Sequence, residues 1–138
     1  MKLITQNKPQ CLLYSFAMCL DVEPETLIEE VGHDGLPDGF HYQEFYQSCT
    51  KRGFVPLVLD LFPVISTKPN EPIWDIERCM DEAQKYLDGN IAVMLELTHA
   101  VAKDDSGIIY DPKGKKYYFS WERYKTAIVL IRESNLSK

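Results

Sequence analysis

A thiol, an imidazole and a carboxylate form a nucleophilic site under three conditions. The thiol must be held as thiolate, the imidazole must take and return a proton, and the carboxylate must fix the imidazole's tautomer. The chain offers four cysteines (11, 19, 49 and 79) and three histidines (33, 41 and 99) for such a site. Cys11, in "QNKPQCLLYSFAMCL" (6–20), falls in the first turn of a predicted helix, where unpaired N–H groups and the macrodipole favour an anion. Cys19, Cys49 and Cys79 fall in mid-helix on faces that read as buried, and so as inert. His99 and Asp111 stand twelve residues apart in "LTHAVAKDDSGIIYDP" (97–112). A tight turn at Asp105-Ser106-Gly107 would fold the second strand back on the first and make them neighbours on one face. Gln6, five positions before Cys11, carries an amide suited to an oxyanion, and Gln10 is the alternative donor. The chemistry of such a set is thiolate attack on an acyl carbon, then hydrolysis of the thioacyl intermediate with His99 as base. Each member also has a plain reading: Cys11 as a small apolar core residue, His99 as a satisfied strand residue, Asp111 as a turn former before Pro112.

These side chains depend on the elements that carry them. Asn7 followed by Pro9 reads as a helix start, and Leu13, Phe16, Ala17 and Leu20 recur at three- and four-residue spacing to form one apolar stripe ending near Asp21. A second helix is predicted over 24–31, stopped by Gly32. The loop "GHDGLPDGF" (32–40) holds three glycines and a proline. His33 in this loop reads either as part of a helix C-cap or as a lining of a cleft. A third helix is predicted over 41–52, with His41 a surface residue at its start. The run 54–62 leans towards strand, with Pro56 pointing to an edge or an early break. A loop at 66–75 and an amphipathic helix at 74–87 follow. The last third reads as short strands at 91–97, 99–104, 107–111, 116–120 and 126–132, separated by turn residues in "DDSG" and "PKGK". Helices followed by an antiparallel meander predict an α+β domain. Trp74 and Trp121 read as core or rim aromatics, and Tyr110, Tyr117 and Tyr118 as a half-exposed sheet face.

Bulk properties narrow the function classes. With 138 residues, 45% hydrophobic and 26% charged, the chain reads as one globular domain over 1–138. A net charge of −6 argues against general attraction to nucleic acid or an anionic membrane. The basic run "KGKK" (113–116) reads equally as a solvated turn. No apolar signal core opens the chain and no stretch approaches 18 apolar residues, so a cytoplasmic location is expected. The cysteines form no CxxC pair. Cys11 and Cys19 lie roughly 12 Å apart along one predicted helix, too far for a disulfide, so reduced thiols are expected. His33, Asp34, Asp38 and His41 match no metal-binding spacing, and no metal or other cofactor is expected.

"Q…QCLLYSFAMCLD", "GHDG" and "HAVAKDDSGIIYDP", in that order, resemble the papain-like cysteine peptidases of the bacteriocin-processing branch across about residues 5 to 132. Short stand-alone relatives of this kind are commonly encoded by bacteriophages. The resemblance implies a papain-like fold with N-terminal helices packed on a C-terminal antiparallel sheet. It also implies Cys11 as nucleophile, His99 as base, Asp111 as orienting acid and Gln6 in the oxyanion hole. In this chain Gln6 stands about one residue closer to the cysteine than the family spacing, and bulky Leu12 follows the thiol where many members have a small residue. Two functions follow as expectations. One is a hydrolase cutting a peptide or amide bond in a peptide or protein substrate. The other is a catalytically silent binding protein that engages a host protein or a small signalling molecule.

Overall fold

A computed structural model describes residues 1–61 and 76–136 of the chain. Helices α1 (Cys11–Leu20), α2 (Pro24–Val31) and α3 (Tyr46–Lys51) precede strand β1 (Phe54–Asp60). Helix α4 (Ile76–Leu87) leads into β2 (Ile91–Leu95), β3 (Ala100–Lys103), β4 (Ile108–Asp111), β5 (Lys115–Tyr118) and β6 (Thr126–Arg132). This is an α+β arrangement with one six-stranded antiparallel sheet in the order β1-β6-β2-β3-β4-β5.

The sheet is therefore not a simple meander. Strands β2 to β5 follow one another, but β6 crosses back to pair with β2, and β1 closes the outside of β6. Burial explains the crossover. In "TAIVLIR" residues Ala127 to Leu130 are buried on both faces, which a central strand satisfies and an edge strand does not. Pro56, which has no N–H for a ladder, sits accordingly on the edge strand β1, opposite Leu130.

Helix α1 departs from the amphipathic reading. Every residue from Leu13 to Leu20 is buried, because the helix lies between the sheet, α2 and the N-terminal segment. A helix enclosed on all sides must satisfy its polar groups locally. Ser15 does so by donating its hydroxyl to the Cys11 carbonyl at 2.7 Å, and Met18 Sδ takes the backbone N–H of Ile4 at 3.3 Å. Phe16 stacks on Phe45, centroids 4.5 Å apart, and ties α1 to the turn before α3. A second cluster of buried side chains, among them Val101, Ile109, Tyr124 and Val129, fills the opposite face of the sheet.

Other elements differ in their limits. The predicted third helix is a 3-10 turn over Tyr42–Phe45 followed by the short α3, and His41 caps it by accepting the N–H of Gln43. Ion pairs join α2 to α3, with Glu30 taking both Arg52 guanidinium nitrogens at 2.8 and 2.7 Å and the Ser48 hydroxyl at 2.7 Å. Tyr110, Tyr117 and Tyr118 do not share one half-exposed face: Tyr110 is buried, Tyr117 is half-buried on the opposite face, and Tyr118 is 81% exposed. Trp121 packs edge-on against Phe119. The predicted loop at 66–75 and Trp74 lie outside the described residues. Among the described residues no helix is long and apolar enough to cross a membrane.

Candidate active site

Cys11 is the first residue of α1. The helix starts two residues later than the Asn7 and Pro9 signal suggests: Pro9 stays in the bend before it, and the Asn7 side chain accepts the Tyr14 hydroxyl instead of capping. The later start places the half-buried thiol where the backbone N–H groups have no intrahelical acceptors. Burial alone would push the thiol pKa up. Hydrogen bonds from His99 and from the backbone N–H groups of Ala100 and Leu12, with the charge on His99, overcome it and hold the thiol below its ordinary value. The other buried thiols contrast with this. Burial raises Cys19 strongly and pushes Cys49 up to about 12, which keeps both protonated.

His99 stands just before β3, and Asp111 is the last residue of β4. Between them Asp104 shapes the turn by accepting the N–H groups of Ser106 and Ile108 and the Ser106 hydroxyl. The hairpin brings His99 Nε2 to 2.7 Å from Asp111 Oδ1, with side chains only 13% and 8% exposed. With Nε2 committed to Asp111, Nδ1 is the nitrogen left for Cys11. Hydrogen bonding to Cys11 raises the His99 pKa, burial opposes the rise, and the Asp111 carboxylate adds to it; the net direction is upward. Burial would raise Asp111, but the N–H of Lys113 at 2.9 Å, His99, and the Tyr117 hydroxyl at 3.1 Å hold its carboxyl below the ordinary range. The three groups form one electrostatically coupled set, in which the His99–Asp111 link is a direct hydrogen bond. It can hold a thiolate beside an imidazolium and return the proton to a leaving group.

The two glutamines separate. Gln10 is buried and spends its side-chain N–H on the carbonyl of Asp34 at 2.7 Å, anchoring the 32–40 loop to the start of α1. Its amide is thus committed to structure. The backbone N–H of Gln6 donates to Pro112 at 2.7 Å, which fixes Gln6 beside the end of β4 next to Asp111. Gln6 Oε1 is buried without a hydrogen-bond partner, and among the described residues nothing accepts from Gln6 Nε2.

His33 lies away from this chain of groups. Its Nε2 meets Glu44 at 2.5 Å, its Nδ1 accepts the N–H of Gly35, and its ring stacks on Phe40, so it braces the 32–40 loop. Gly35 has φ +74°, and any Cβ there would collide with the Phe40 ring. Among the described residues no group of three or more His, Cys, Asp or Glu side chains is placed to hold a metal ion.

Tyr117 was not identified as a site residue from sequence. Lys115 stands directly opposite Asp111 in the β4–β5 register, so Tyr117, two residues on, shares its face. The register of the "PKGK" turn was the signal that could have found it. The Arg123 guanidinium lies 4.8 Å above the Tyr117 ring and holds it in place. His99, Asp111 and Tyr117 line a cleft of about 740 Å³, together with Glu96, Lys113 and Lys115; Cys11 does not line it. No family model matches the chain, and no curated protein or solved structure is significantly similar to it.

Proposed function

We propose that the chain is a cysteine-dependent hydrolase of papain-like type that cleaves a peptide or amide bond. The observation that carries the reading is the 2.7 Å bond of His99 Nε2 to the buried Asp111 carboxylate, which leaves Nδ1 for the Cys11 thiol, whose pKa is lowered by His99. In this reading the Cys11 thiolate attacks the acyl carbon, and the imidazolium Nδ1–H protonates the departing amine. The neutral imidazole then takes a proton from water, whose oxygen attacks the thioacyl carbon and releases the carboxylate product and the thiol. Asp111 keeps the tautomer and stabilises the imidazolium. The oxyanion faces the Cys11 N–H at the start of α1, with Gln6 Nε2 as the second donor.

The test is digestion of a mixed peptide library by the native chain and by Cys11→Ala, read by mass spectrometry. Peptides cut by the native chain and left whole by the variant are the expected result. A native chain that leaves every peptide intact, or cleavage that survives in Cys11→Ala, overturns the hydrolase and leaves the cleft as a binding site.

A further inference from the structure

The cleft beside His99 carries positive charge that the Cys-His-Asp chain of bonds does not use. Lys113 and Lys115 line it, both exposed, and neither forms an ion pair with any described residue. They are not there to hold Asp111, whose oxygens are taken by His99, the Lys113 backbone N–H and Tyr117. The third cation, Arg123, is fixed over Tyr117 and lies 3.5 Å from Glu96, the one carboxylate of the lining outside that chain of bonds. Two uncompensated lysines at one cleft are a local reversal of sign on a chain whose net charge is −6.

We propose that this cleft binds an acidic segment of a peptide substrate. The inference deepens the hydrolase reading and rests on it for the word substrate. The strand that carries the charge supports a peptide. Lys115 and Tyr117 lie on β5, the outer strand of the sheet, and alternate residues of β5 face the cleft. An extended segment laid along that edge presents a carboxylate to Lys115, while Lys113 reaches it from the turn. The volume of about 740 Å³ suits a short segment. A nucleic-acid strand is disfavoured because the chain as a whole, with its net charge of −6, repels a polyanion.

The test is fluorescence anisotropy of labelled hexaglutamate and hexaglutamine with the native chain, Lys113→Glu/Lys115→Glu and Lys113→Gln/Lys115→Gln. The expected result is preference for hexaglutamate, weakening with salt, with Kd raised about tenfold or more by the double charge reversal and less by the glutamines. Equal binding of the two peptides, or hexaglutamate binding that both variants retain, overturns the proposal. Hexathymidylate bound more tightly than hexaglutamate overturns it in favour of nucleic acid. Thiol activation, read by alkylation of the native chain, fails independently. An activated thiol without hexaglutamate preference removes only the acidic ligand. Preference with an ordinary thiol removes the hydrolase and leaves an acidic-peptide site.

Discussion

Asp111→Asn removes one charge from the site and little volume. The amide oxygen can still accept from His99 Nε2, so the tautomer survives while the carboxylate is lost. His99 Nε2 and Asp111 Oδ1 are 2.7 Å apart, which puts the charge centres about 4 Å apart. At an effective dielectric of about 20 that separation corresponds to ~4 kcal/mol, an upper bound for this pair. Allowing for the retained neutral hydrogen bond and partial screening leaves about 2 kcal/mol of coupling between the two groups. The native His99 pKa lies above its ordinary value, so the substitution moves it down. It does not abolish the rise due to Cys11, which Cys11→Ala/Asp111→Asn removes as well. Nitrogen-15 NMR titration of the histidines reads this directly, with the His99 resonance assigned by its loss in His99→Ala. The sign for stability follows from both partners. Asp111 is depressed and contributes above its ordinary pKa of about 3.9; His99 is raised and contributes until the pH climbs through its folded value. The penalty of Asp111→Asn is therefore largest from about pH 4 up to the raised imidazole pKa. A His99 titration that does not move in Asp111→Asn would refute the charge coupling.

Two further outcomes follow. Tyr117→Phe removes the hydroxyl that donates to Asp111 Oδ2, and is expected to cost about 1 kcal/mol and move the acid limb of unfolding to higher pH; an unchanged acid limb in a urea–pH series contradicts it. Glu30, held at about 2 by Arg52 first and also by Ser48 and Lys51, contributes stability above the ordinary carboxylate pKa that is lost as pH falls towards 2; Glu30→Gln should cost about 1 kcal/mol at pH 7, after screening at this partly exposed site, and nothing near pH 2. Urea midpoints at the two pH values check it, and a pH-independent difference would contradict the ion-pair account.

What sequence reasoning could reach follows from the range of each interaction. His99 and Asp111 are joined by one hairpin whose turn residues are explicit, so their pairing was legible from spacing alone. Cys11 reaches His99 only through the packing of α1 on β3, and its place beside the imidazole came from the family resemblance rather than from periodicity. The crossover of β6 was not legible, because strand order depends on non-local pairing, although the nearly unbroken apolar run of "TAIVLIR" is the composition of a central strand. The enclosure of α1 goes beyond the one apolar stripe of Leu13, Phe16, Ala17 and Leu20, because the polar groups of Tyr14, Ser15 and Cys19 find their partners only on folding. In the fold each is satisfied: Tyr14 by Asn7, Ser15 by the Cys11 carbonyl, and Cys19 by the carbonyl of Ala92. Gln10 illustrates the reverse case. Its position before the thiol suggested an oxyanion donor, but Asp34, distant in sequence, takes its amide.

The most direct test of the central claim is the pH dependence of Cys11 alkylation by iodoacetamide in the native chain and in His99→Ala. In the native chain the thiol is held below its ordinary value of 9.0 by His99 and the N–H groups of Ala100 and Leu12 working against burial. Without His99, burial loses its strongest opponent. The account predicts that Cys11 reacts at lower pH in the native chain than an ordinary thiol does, and that in His99→Ala its reactivity moves to higher pH. A Cys11 that reacts with the same pH profile in both proteins would contradict it.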